Sequence, residues 1–151
     1  MTKLFIDVDG VLFGYYGQPE FFQLRPFVTS FLEWAQDTYD AWWLTAWSKR
    51  QLKDLMSATY IDNERIQYGD WSRHKTSVIL ETASDGDFYW LDDAPIDEEL
   101  DILEKNGWSE RLIIVNANGI LGLNKAVIKL CDKTNVIVPH FVTQFENWVN
   151  K

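Results

Sequence analysis

A single cysteine, Cys131, stands in the whole chain, so no internal disulfide can form. Domains held together by cystine frameworks are thereby excluded, and a reduced compartment fits. Cys131 itself reads as a small buried hydrophobe within "AVIKLC". Long apolar runs are also missing, and none approaches the length that crosses a bilayer. After Lys3 only three apolar residues precede Asp7, too few for the core of a secretory signal. A cytoplasmic protein is expected. Positive charge is scarce as well: 14 Lys and Arg stand against 23 Asp and Glu, a formal net charge of −9. The basic residues gather only as Lys49-Arg50 with Lys53 and as Arg73-His74-Lys75. Affinity for a long phosphate backbone comes from clustered cations, so extended nucleic-acid binding is not expected. No membrane partner is expected either.

What is present is apolar and aromatic. At 46% hydrophobic residues in 151, the chain can bury the core of one domain, residues 1–151. Strand-like runs ("KLFID", "AWWLT", "DFYWLDD", "RLIIVNA") alternate with helix-like segments ("RPFVTSFLEWAQDTY", "SKRQLKDLMSAT", "RHKTSVILETA", "PIDEELDILEKNG", "NKAVIKLCDK", "HFVTQFENWVN"). Pro26 suits a first helical turn, and Ser48 with Gln51 has capping-box spacing. "NERIQYGD" stays open between strand and loop. Strands without polar alternation, separated by helices, imply a mostly parallel sheet covered on both faces. The expected fold is α/β, a single three-layer Rossmann-like domain. In such folds ligands sit beyond the carboxyl ends of strands, where strand order reverses.

Polar residues stand at those ends. Asp7 and Asp9 flank Val8 before Gly10, and extended chain would aim both carboxylates at one point. Such a pair wants a hard cation, and Mg²⁺ takes carboxylate and carbonyl oxygens. A calcium EF-hand fails: with Gly10 at its sixth position, Phe5 and Tyr16 would have to ligate. Thr45 closes "WWLT" ahead of a helix start, where a hydroxyl and free N–H groups hold anions. Lys75 opens a helix, a place unfavourable to positive charge unless an anion faces it, and Arg73 is its rival. Asp92 and Asp93 end an apolar strand; Asp93 could instead cap the next helix. Asp97 reads as surface charge, and His74 and His140 as structural or surface residues. Each feature alone has an ordinary explanation. Acid pair, hydroxyl, lysine and acid pair in this order, at successive α/β units, do not.

The ordered set resembles the haloacid dehalogenase superfamily of phosphohydrolases. "DVDGVL" resembles its first motif, "WLTAW" its second, Lys75 in "RHKTSVI" its third and "WLDDAP" its fourth, and "VNANGILGL" resembles its late loop. The likeness spans roughly residues 3–123. It implies that Asp7 is the nucleophile that becomes an aspartyl-phosphate and that Asp9 is the general acid and then base. It implies that Thr45 and the Ala46 N–H hold phosphoryl oxygens and that Lys75 neutralises nucleophile and phosphate. Mg²⁺ would be held by Asp7, the Asp9 carbonyl and Asp92, with Asp93 assisting directly or through water. Cap domains of that superfamily enter after the first motif or between the second and third. Here "LFGYYGQPEFFQL" fills the first gap, and about thirty residues separate Thr45 from Lys75, so no cap domain is expected. The pairing "DVDGVL…WLTAW" most resembles small capless domains associated with RNA end repair.

An open site suits nucleotides, nucleic-acid ends, phosphoproteins or small phosphorylated metabolites. Phe13, Tyr15, Tyr16, Phe21, Phe22 and Trp47 offer either a stacking surface for a base or simple packing. Against the phosphatase stand two alternatives: a non-catalytic phosphate- or protein-binding module, and a phosphotransferase with an acceptor other than water.

Overall fold

Parallel strands cannot be joined by tight turns and need a crossover of a dozen or more residues. The computed structural model describes residues 1–16 and 21–151, Phe21 by its backbone alone, and it supplies a helix for each crossover. The chain runs β1 (Lys3–Ile6), β2 (Phe13–Tyr16), β3 (Phe21–Leu24), α1 (Val28–Thr38), β4 (Asp40–Trp43) and α2 (Lys49–Thr59). It continues through β5 (Gln67–Tyr68), α3 (Thr76–Thr82), β6 (Phe88–Asp92), α4 (Asp97–Lys105), β7 (Leu112–Ile114), α5 (Gly122–Thr134) and α6 (His140–Val149). Five of these strands form one sheet in the order β5-β4-β1-β6-β7, with every pairing parallel.

Alternation along β1 divides the core. Leu4 and Ile6 face the helices on one side, with Phe31 of α1, Leu52 of α2, Val127 of α5 and Phe141 of α6 in the same apolar cluster. Phe5 faces the other side, with Val78 and Ile79 of α3 and Leu103 of α4. All three β1 side chains are fully buried, each contributing about 1.5–3 kcal/mol. The result is a parallel sheet between two helix layers, as expected.

The helices change face where the chain changes direction. From β1 outward to β4 and β5 the connections are α1 and α2; back to β6 and onward to β7 they are α3 and α4. A constant crossover hand requires that change of face. The reversal beside β1 opens a crevice at the carboxyl ends of β1 and β6. Among the described residues no helix is long and apolar enough to cross a membrane.

Several local expectations shift. Pro26 lies outside the first turn of α1, because Phe27 occupies the N-cap in a left-handed conformation (φ 63°). "NERIQYGD" contains the two-residue strand β5 at the sheet edge. "AWWLT" pairs only to Trp43, so Thr45 stands beyond the strand. The Ser48–Gln51 capping box forms as spaced, with the Gln51 N–H donating to Ser48 Oγ at 3.1 Å. The segment after Gly10, to which the sequence assigns no secondary structure, folds into an antiparallel hairpin of β2 and β3 with Phe13 opposite Leu24 and Tyr15 opposite Phe22. Its dock is the loop after β7, where the Tyr15 N–H donates to Ala117 O at 2.7 Å.

Candidate active site

Strand β1 ends at Ile6, and the chain then turns. The Val8 carbonyl accepts the N–H groups of Val11, Leu12 and Phe13, and Gly10 adopts φ +78°, a conformation side chains resist. A β-carbon at Gly10 would also overlap the Asp93 carboxylate. Across this turn the two aspartates differ in exposure and partners. Asp7 is 5% exposed and accepts the Val8 N–H at 2.8 Å. Asp9 is exposed, and its carboxylate accepts the indole N–H of Trp47 at 2.9 Å.

Beyond β4, Leu44 still donates to Ile6 O at 2.9 Å, and this carries Thr45 to the mouth of the crevice. Thr45 is buried; its hydroxyl accepts the Trp47 N–H at 3.2 Å and its carbonyl accepts the Trp71 indole N–H at 2.8 Å. Ala46 is exposed, and no hydrogen bond to its N–H forms among the described residues.

Lys75 stands just ahead of α3 and reaches back over the sheet. Its ammonium lies 2.7 Å from Asp92 Oδ2 and 3.2 Å from Asp7 Oδ2. Arg73, its rival from the sequence, is exposed and makes no such pair among the described residues. The carboxylates of Asp7, Asp92 and Asp93 converge so that one oxygen of each lies within 4.8 Å of the others. Asp93 does not cap the next helix: Ile96 holds that position, its N–H donating to Glu99 Oε1 at 3.1 Å. Asp97 is exposed in the first turn of α4.

Electrostatics in this cluster favour an added cation. Burial and the charge of Asp92 push the Asp7 carboxyl from an ordinary 3.8 up to about 7, against Lys75, the Val8 N–H and the Thr45 hydroxyl. Burial, then Asp92, also raises Asp93. Burial works against the Lys75 charge, but Asp7 and Asp92 outweigh it and raise that pKa. Three carboxylates against one ammonium leave negative charge uncompensated. An all-oxygen donor set at this spacing suits Mg²⁺, which keeps waters and takes few carboxylates. The Asp9 side chain stands outside the set, so of the four aspartates assigned to the metal only three bring carboxylates together.

Other groups emerge only in three dimensions. Arg25, 2% exposed, donates to the carbonyls of Gly10 (3.1 Å), Asn116 (2.9 Å) and Gly119 (2.7 Å), and so joins the turn after Asp7 to the loop after β7. Glu99, 4% exposed, also accepts the Lys75 N–H at 2.7 Å. Nothing in local spacing marks either residue. Among the aromatics, Phe13 stacks on Phe22 and on Trp47, with ring centroids 4.8 and 5.8 Å apart, and Tyr15 leans on Phe22. Tyr16 is turned away, under Arg25. The Phe21 side chain lies outside the described residues. A groove of about 740 Å³ runs between α2 and β5, past Lys49, Met56 and Tyr68, and is lined by none of these carboxylates. No protein-family model matches the chain, and no curated protein does.

Proposed function

We propose that the chain is a phosphohydrolase of the haloacid dehalogenase superfamily, without a cap domain, that cleaves phosphate monoesters through a phosphoryl group carried on Asp7. The observation that supports it is the convergence of Asp7, Asp92, Asp93, Lys75 and Thr45 at the carboxyl ends of β1, β4 and β6. A buried carboxylate raised to about 7 is a poor resting anion and a good nucleophile once a cation offsets its neighbours. Asp7, Asp92, Asp93 and the Asp9 carbonyl would hold Mg²⁺, which when bound would supply that offset and screen the approaching phosphate.

The protein's own groups do the rest. A carboxylate oxygen of Asp7 bonds to phosphorus as the ester P–O bond breaks, and the leaving oxygen takes a proton from Asp9. Asp9 then takes a proton from water, whose oxygen attacks the phosphorus and releases Asp7 and orthophosphate. The exposure of Asp9 leaves its carboxyl free to reach leaving group and water, while the Trp47 N–H fixes its direction. Lys75 spreads positive charge over Asp7 and the transferred group. Thr45 and the Ala46 N–H bind the equatorial oxygens.

Among the described residues, only the hairpin β2–β3 and the α2–β5 segment occupy the two places where a cap would enter, which leaves the site open to bulky leaving groups. Nucleotides, nucleic-acid ends and phosphorylated proteins fit this opening, and small sugar phosphates would be held through the phosphate alone. A cytoplasmic setting agrees with the single buried thiol. The test is a Mg²⁺-dependent phosphate-release panel. It spans mononucleotides, oligonucleotides phosphorylated at either end, phosphopeptides and sugar phosphates, with Asp7→Asn as control. Release from at least one class, lost in Asp7→Asn with the fold intact, is expected. Full activity in that variant would refute the mechanism. Phosphoryl transfer to an added alcohol or nucleoside would make the protein a phosphotransferase, and tight partner binding without release a binding module.

A further inference from the structure

We infer that Glu99 is a positioning residue for Lys75, setting where the site's ammonium stands by holding the lysine's main chain. Its carboxylate is buried, and each oxygen accepts one main-chain N–H. The bond from Ile96 is an ordinary first-turn cap for α4. The bond from Lys75 is of another kind: it is shorter, at 2.7 Å, and joins residues 24 apart in sequence. Lys75 already has helical angles (φ −58°, ψ −34°), so its N–H is one of the donors that no carbonyl within α3 can satisfy. A carboxylate gives that donor a charge-assisted partner.

The two ends of this clamp are the two sides of the site. One is the lysine; the other is the start of the helix that follows Asp92 and Asp93. An ammonium on a four-carbon stem stands only as firmly as the backbone beneath it. Here the stem must deliver Nζ to 2.7 Å from Asp92 and 3.2 Å from Asp7 at once. The flanking side chains give no help, since buried His74 Nδ1 and Thr76 Oγ1 have no partners among the described residues. The ammonium also lies over the Trp71 ring, 5.9 Å from its centroid, a contact made by the side chain and not by the main chain beneath it. Glu99 thus couples the height of the cation to the position of the Asp92–Asp93 pair.

The activity arm of the test rests on the hydrolase reading above; the spectroscopic arm does not. Glu99→Gln keeps the shape but turns one acceptor into a donor facing an N–H. Ile96→Pro removes only the cap bond, at a residue whose φ of −82° a proline can adopt. Full-length wild type, both variants, Lys75→Met and the Glu99→Gln/Lys75→Met double variant are compared. In the wild type the ion-paired, largely buried Lys75 ammonium is expected to give a nitrogen resonance protected from solvent exchange. Glu99→Gln is expected to lose that protection and about 10-fold or more in kcat. Ile96→Pro should keep both, and Glu99→Gln should cost nothing further in the Lys75→Met background. The inference is overturned if Ile96→Pro reproduces Glu99→Gln, if the loss persists undiminished without Lys75, or if the protected resonance survives in Glu99→Gln. Should Glu99→Gln fail to fold, Glu99→Asp keeps the charge beside α4 but falls short of Lys75, with the same outcomes. A wild type that releases no phosphate would sink the hydrolase reading alone, and the resonance would still decide the role of Glu99.

Discussion

Removing the charge of Asp7 should stabilise the metal-free protein. The carboxyl is 5% exposed and faces Asp92, and these two facts lift its pKa from 3.8 to about 7 despite Lys75. Between those values the folded state holds a proton that the unfolded chain has released. Stability must therefore fall as pH rises from about 4 to about 7, and level off above. A shift of roughly three units at 1.36 kcal/mol each sets a ceiling of about 4 kcal/mol on the cost of ionisation. Asparagine is isosteric with the protonated acid and can still accept the Val8 N–H, and Lys75 keeps Asp92 at 2.7 Å. Some of the ceiling is lost with the second Lys75 contact, so a gain of about 1–3 kcal/mol near pH 8 is expected for Asp7→Asn. The gain should shrink to nearly nothing near pH 4. Urea titrations in a chelator, followed through tryptophan fluorescence, measure both curves. Taking their difference cancels the titrating groups that do not interact with Asp7. A pH-independent difference, or a destabilised variant near neutrality, would refute the claim that burial and Asp92 outweigh Lys75 at this carboxylate.

Three further outcomes follow from the same geometry. Asp9→Asn should lower kcat by about 10²–10⁴-fold while leaving Mg²⁺ affinity, measured by calorimetry, near that of the wild type. Gly10→Ala meets both the left-handed turn and the Asp93 carboxylate, so denaturation should show a loss of at least about 1–2 kcal/mol together with weaker Mg²⁺ binding. Mg²⁺ binding near pH 6 should release protons, because Asp7 must ionise to ligate, and the release should fade by about pH 8.5; calorimetry in buffers of different ionisation enthalpy counts them.

Much of this architecture is legible along the chain because it is local. Apolar runs of four or five residues mark the central strands, and the acids, hydroxyl and lysine that end them stand where an α/β crossover must open. Lys75 meets Asp7 and Asp92, and the Thr45 hydroxyl stands beside Asp7, as their positions predict. The hairpin escaped that reading because "FGYYGQPEFFQL" is aromatic on both faces and lacks the alternation that marks a half-buried strand. The direction of Asp9 depends on three N–H groups folding onto the Val8 carbonyl, which spacing does not encode. Arg25 and Glu99 act across separations of 91, 94 and 24 residues, on carbonyls and N–H groups that any residue type would present. Sequence marks residues whose chemistry is unusual for their place, and passes over those whose partners are main chain.

The central place of β1 has a kinetic consequence. Its neighbours are β4, paired from Asp40, and β6, paired from Phe88, so the first strand made is among the last to be enclosed on both sides. The Asp7 N–H itself is capped only by Leu91. A growing chain therefore carries the apolar Leu4–Ile6 edge of β1 open on its β6 side until well past its midpoint. Such contacts are slow to close and expose the segment to aggregation meanwhile. Chains truncated before β6 should bind holdase chaperones through residues 3–6, and release should coincide with the appearance of Asp92.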